Sequence, residues 1–149
     1  METGRVWRSF AIGVTCGLRS MTGPAVVRWR MTDPARLAFA ALAAGELIAD
    51  KLPGTPPRTI PPALAFRALS GGFAGRSVAA AFAFDRTAGT VAGAGGAILG
   101  AYAGMALRSQ IVRRTGIPDP LVAVVEDVIA ISGALAATRP EPHARPAAN

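Results

Sequence analysis

The chain has 149 residues, 51% of them hydrophobic and only 17% charged, and its formal charge of +7 comes almost wholly from arginine. Soluble globular domains carry about 25% charged residues, so this balance, with a mean hydropathy of +0.37, fits a small polytopic membrane protein rather than a secreted or disordered chain. A lone Cys16 and a lone His143 exclude an intrachain disulfide and a zinc site built on Cys and His, and arginines scattered through apolar sequence make nucleic acid an unexpected partner.

Arg5 and Arg8 precede the first apolar segment, Trp7 to about Val27. No small-residue cleavage site follows, so retention in the membrane is expected rather than removal as a signal peptide. Arg19 lies inside this segment and GLRSMTGP ends in the Gly23-Pro24 pair, which predicts a broken or kinked first helix. A polar connection with Arg28, Arg30, Asp33, Pro34 and Arg36 leads to a second apolar segment, Leu37 to Ala49. That segment is short for a spanning helix, so it either borrows its polar end or sits inside a bundle.

Pro61 and Pro62 suit the first turn of a third helix reaching about Phe84, where proline sacrifices no internal hydrogen bond. Arg67 and Arg76 on that helix point about 180° apart. Thr87 to Leu107 follows, free of charge and proline, and at 1.5 Å per residue it covers roughly 30 Å, the thickness of a bilayer core. Gly89 and Gly93 are spaced by four, as are Gly96, Gly100 and Gly104, so small-residue ridges allow close helix approach. In water each such glycine would cost about 1 kcal/mol relative to alanine. A last helix is expected from about Leu121 to Thr138, interrupted early by Glu126 and Asp127, before a proline-rich tail over 139–149 with no means of packing. The expected organisation is thus one transmembrane domain, 1–138, and a disordered tail.

Ionisable residues within or beside apolar segments form the candidate polar core: Arg19, Glu46, Asp50, Arg67, Arg76, Glu126 and Asp127. Near mid-membrane such groups cost about 2.5–3.5 kcal/mol each, so they face a bundle interior and pair. Glu46 and Asp50 share a helical face; Glu126 and Asp127 point about 100° apart, so at most one of them shares that cavity comfortably. These groups either line a substrate or ion path or hold short helices together as ion pairs. The two halves also echo each other weakly, Leu18-Arg19-Ser20 and Pro24 before an acidic helix, then Leu107-Arg108-Ser109 and Pro118 before Glu126 and Asp127. Five spans would leave lysine and arginine almost evenly divided between the two sides, which sets no orientation and raises dual topology. GAGGAILG lacks dinucleotide-binding spacing, and no phosphate loop or Ser-His-Asp set is present, so neither enzymatic activity nor a cofactor is expected.

In GLRSMTGPA, GELIADKLPGTPPRT and GIPDPLVAVVED, spread over Val6 to Leu135, the chain resembles a family of small bacterial integral membrane proteins catalogued as a domain of unknown function. The resemblance implies a multi-pass protein of the bacterial inner membrane and brings forward Gly17, Arg19, Pro24, Glu46, Asp50, Lys51, Pro53, Arg58, Pro118, Asp119, Glu126 and Asp127. The combined expectation is an all-α transmembrane bundle of four or five helices, oligomeric through its glycine faces. Its partners would be the lipid bilayer and further copies of itself. Its role is transporter-like or channel-like on an unknown substrate; the alternatives are a membrane scaffold held by structural ion pairs and, more remotely, a soluble helical domain.

Overall fold

The computed structural model describes residues 2–49 and 59–140, which form six helices and no strand. They are α1 (Glu2–Leu18), α2 (Thr22–Arg30), α3 (Arg36–Ala49), α4 (Pro61–Ala81), α5 (Arg86–Thr115) and α6 (Asp119–Ala137). The expected four or five helices become six because the first apolar segment divides into α1 and α2. The division falls at Arg19 to Met21, ahead of the Gly23-Pro24 pair. A proline ring clashes with the carbonyl four residues earlier, which for Pro24 is that of Ser20, so α1 cannot continue through it. Within the first turn of α2, Pro24 needs no donor and is tolerated.

Local chemistry sets the other ends. Pro61 and Pro62 open α4. Asp85 caps α5 by accepting the Ala88 N–H at 2.7 Å, and Gly116 closes it with φ 67°, a left-handed position that glycine adopts without a Cβ penalty. α5 therefore runs eight residues past Leu107. Among the described residues two helices, α5 and α6, are long and apolar enough to cross a membrane by length and composition, with mean hydropathies of 1.4 and 1.8 over 18-residue stretches. α6 thus passes on its own, although Glu126 and Asp127 lie inside it.

α1 and α2 form a splayed hairpin. Arg5 near the start of α1 and Arg30 at the end of α2 line one cleft with Ala81 at the end of α4 and Thr138 beyond the end of α6. The Arg8 guanidinium donates to the Ala137 and Arg139 carbonyls at 3.2 and 2.7 Å, placing the second turn of α1 level with the last turn of α6. From there to Arg19 is about 16 Å of helix. Arg19 pairs with Asp127, the ninth residue of the nineteen in α6. Gly17 lies against Ala97, Gly100 and Ala101, at the middle of α5. The hairpin tip therefore stands halfway along α5 and α6.

Glycine makes this insertion possible. A Cβ on Gly13 would sit 2.1 Å from the Gly93 carbonyl oxygen, one on Gly96 would sit 2.3 Å from that of Phe10, and one on Gly100 would sit 2.3 Å from that of Val14. On another face of α5, a Cβ on Gly89 would sit 2.8 Å from the Gly75 carbonyl oxygen and one on Gly93 would sit 2.1 Å from that of Gly71. Gly104 is also buried. Gly89, Gly93, Gly96 and Gly100 thus join helices of one chain, with α1 and α4 occupying the faces through which copies were expected to associate. The Ser9 hydroxyl adds a buried bond to the Gly75 carbonyl at 2.8 Å, tying α1 to α4.

The distribution of side chains is inverted relative to a water-soluble bundle. On α6 the buried stripe is Val122, Ala123, Glu126, Asp127, Ala130, Ala134 and Ala137, while Val124, Val125, Val128, Ile129 and Leu135 are exposed. On α5, glycine and alanine are buried while Val91, Leu99, Tyr102, Met105 and Leu107 face outward. α3 buries no residue fully and exposes Leu37, Leu42 and Ile48. The largest fully buried side chain is that of Arg19.

Candidate functional site

The hairpin tip gathers charges from the α1–α2 turn and from three helices, α3, α4 and α6. Arg19, 1% exposed, directs its Nε and Nη2 to one carboxylate oxygen of Asp127 on α6. Arg67 on α4, 7% exposed, places Nη1 3.7 Å from Glu46 Oε1 and donates to the Gly17 carbonyl at 3.4 Å. Among the described residues, two guanidinium groups and two carboxylates thus meet around the end of α1. Pairing of this kind offsets the desolvation that an isolated buried ion would suffer.

Glu46 has a second task. Met21, at the N-cap of α2, supplies no side-chain cap of its own. The Glu46 carboxylate arrives from α3 and accepts the N–H groups of Ser20 and Met21, each at 2.8 Å, and the Ser20 hydroxyl at 2.5 Å. A negative group there also suits the positive end of the α2 dipole. Thus a helix without a fully buried residue is pinned to the tip by its one carboxylate. Its first half is held by aromatic contacts: the Arg28 guanidinium lies 5.5 Å from the Phe39 ring and 4.9 Å from the Phe73 ring.

Glu126 and Asp127 diverge, as adjacent helical positions must. Asp127 reaches Arg19, whereas Glu126 lies 3.6 Å from Arg108 on α5. Arg108 also grips Asp119 with two bonds of 2.7 and 2.5 Å, closing the α5–α6 connection. Arg19, Glu46, Arg67 and Asp127 therefore share the tip, Glu126 pairs with Arg108 on α5, and Arg76 stands exposed on α4. Asp50 lies outside the described residues, as do Lys51, Pro53 and Arg58.

Two participants escaped the sequence reasoning. Ser20 resembled the polar residue of a helix break, yet its N–H and hydroxyl anchor Glu46. Arg108 looked like a helix-end charge, and only the turn geometry of GIPDP brings Asp119 back to it. A Glu spaced from GLRS by a polar connection was the one available signal for the first contact.

No group of three or more His, Cys, Asp or Glu side chains is placed to hold a metal among the described residues. What the tip offers is exchangeable pairing: a cation would compete with the arginines for the carboxylates, and an anion would compete with the carboxylates for the arginines. No family model, curated protein or solved structure matches the chain.

Proposed function

We propose that the chain is a multi-pass protein of the bacterial cytoplasmic membrane whose α1–α2 hairpin enters from one face and carries a paired charge cluster to mid-depth. The supporting observation is the inverted packing. Large apolar side chains cover the outside of α3, α5 and α6, while the inside holds paired ions, glycine, alanine and serine beside a few larger apolar side chains such as Ile12, Val27 and Val78. In water each exposed Leu, Ile or Val would forgo about 1.5–3 kcal/mol of burial; in lipid it forgoes nothing.

The hairpin also alters the charge tally. Among the described residues, Arg5 and Arg8 join Arg28, Arg30, Arg36, Arg86 and Arg139 at the end where α1 begins and α6 finishes, against Arg108, Arg113 and Arg114 toward the other end, with Lys51 and Arg58 outside this count. The positive-inside rule then places the arginine-rich end in the cytoplasm, in a single orientation in place of dual topology.

Within that frame the tip acts as a small-ion site of a transporter-like protein. Glu46 is the movable part, because α3, which carries it, buries no residue fully. When α3 withdraws, Arg67 and the N–H groups of Ser20 and Met21 face the space it leaves. The test is flux of protons, potassium and chloride into liposomes carrying the purified protein. Flux of at least one ion above protein-free liposomes, reduced by Glu46→Gln, supports transport. Liposomes as tight as protein-free ones, with Glu46→Gln lowering only thermal stability, leave the second reading, a scaffold fixed by ion pairs. The close, buried Arg19–Asp127 contact is what favours that second reading.

A further inference from the structure

We propose that the cleft between Arg5 and Arg30 binds the phosphate of an anionic glycerophospholipid from the leaflet at that end of the bundle, with an acyl chain in the adjoining groove. The proposal rests on the membrane placement above and is independent of transport at the tip. The cleft measures about 510 Å³ and lies among the ends of α1, α2, α4 and α6. Its described lining contains two arginines and no carboxylate.

These arginines differ from their neighbours. Arg8 is engaged by the carbonyls at the end of α6 and by the Phe82 ring at 4.4 Å, and Arg28 by Asp33. Among the described residues, neither Arg5 nor Arg30 has a hydrogen-bond or ion-pair partner, so both guanidinium groups keep their donors for a ligand. The planar fork of arginine suits phosphate oxygens.

Arg30 also stands at a second opening. A groove of about 280 Å³ runs between α2, α3 and α6, walled by Ala25, Val26, Ala40, Leu47 and Leu135. A cation at the mouth of an apolar groove matches an amphiphile with an anionic head. The chain's two tryptophans, Trp7 and Trp29, are both exposed near this end, at 65% and 57%. Tryptophan collects at headgroup level, so the cleft lies at the depth where lipid phosphates lie. The anionic surface of the cytoplasmic leaflet favours the same orientation.

The test compares thermal unfolding of the full chain in nanodiscs of phosphatidylcholine with nanodiscs containing phosphatidylglycerol, and counts retained phosphatidylglycerol by native mass spectrometry. The expected result is stabilisation by phosphatidylglycerol and a retained lipid. Arg5→Gln with Arg30→Gln should weaken retention about fivefold for each arginine, roughly thirtyfold together, while Arg113→Gln with Arg114→Gln leaves it unchanged. Equal behaviour in both lipids, or a double variant that retains phosphatidylglycerol like wild type, overturns the site and leaves the membrane placement standing. Inorganic phosphate that displaces the lipid at low millimolar concentration overturns the acyl-chain component. A chain that stays monodisperse in buffer without detergent overturns site and placement together.

Discussion

Gly93 is where three helices meet, and replacing it with alanine tests whether α5 is the surface on which the bundle assembles. The added Cβ would lie 2.1 Å from the Gly71 carbonyl oxygen and 3.0 Å from the Gly75 Cα. Carbon and carbonyl oxygen in contact sit about 3.3 Å apart, so α4 and α5 would have to separate by roughly 1 Å. The clash is with backbone, which no rotamer change relieves. α1 packs on the same turn through Gly13, so shifting α5 disturbs a second interface. Overpacking costs about 1–3 kcal/mol, and a backbone clash belongs at the upper end. For a chain of this size about 3 kcal/mol lowers the melting temperature by roughly 6–12 °C. Gly95 is the internal control: it is exposed, and its Cβ would meet nothing within 4 Å, so Gly95→Ala should be neutral or slightly stabilising. The assay is thermal unfolding in detergent followed by tryptophan fluorescence. If Gly93→Ala melts with wild type, or Gly95→Ala is equally damaging, the packing account of these glycines is wrong.

Other outcomes follow from the charges and the cysteine. Asp127→Asn removes a carboxylate from the buried Arg19 and should destabilise by about 3–5 kcal/mol, whereas Arg19→Met combined with Asp127→Leu should recover much of the loss; a double-mutant unfolding cycle measures both. Glu46→Gln should raise amide exchange across 36–49 more than across α5, read by hydrogen-exchange mass spectrometry. The Asp33 carboxyl, at the connection between α2 and α3, accepts the Ala35 N–H at 2.8 Å and pairs with Arg28, which lowers its pKa from the ordinary 3.8. A depressed folded value means the contact contributes fully above the ordinary value and is lost as pH falls through the lower folded one. Carboxyl chemical shifts should therefore put the Asp33 midpoint below 3.8, and Asp33→Asn should remove that acid-side dependence of stability. Cys16 is fully buried beside Gly23, so a maleimide should label it only after unfolding, with mass spectrometry as the readout.

Much of the helical plan was legible in the sequence because proline, glycine and charge mark ends directly. Pro61-Pro62, Asp85 and Gly116 each stand at a boundary for a local reason. The bundle's depth relations were not legible. Arg19 inside an apolar run announces a break, but nothing local says that the chain turns back at Arg19 to Met21 and brings Arg30 beside Arg5. The tally of basic residues depends on this, since a crossing helix and a returning hairpin place Arg5 and Arg8 on opposite sides of the count. In the candidate site, the divergence of Glu126 and Asp127 followed from helix geometry alone. Their partners did not, because Arg19 and Arg108 are chosen by long-range packing. The glycine spacing showed that something approaches α5 closely, and the ridges themselves are indifferent to whether that neighbour is α1, α4 or another copy.

The central claim is that the outer faces of α5 and α6 meet lipid while the interior holds the charges. Spin labels at Val128→Cys and Ala130→Cys in a Cys16→Ala background, in reconstituted bilayers, test it by power saturation with oxygen and with a water-soluble nickel chelate. The account expects the Val128 label to be open to oxygen and closed to nickel, with the Ala130 label shielded from both. A Val128 label that the nickel chelate reaches freely would put that face in water and contradict the account.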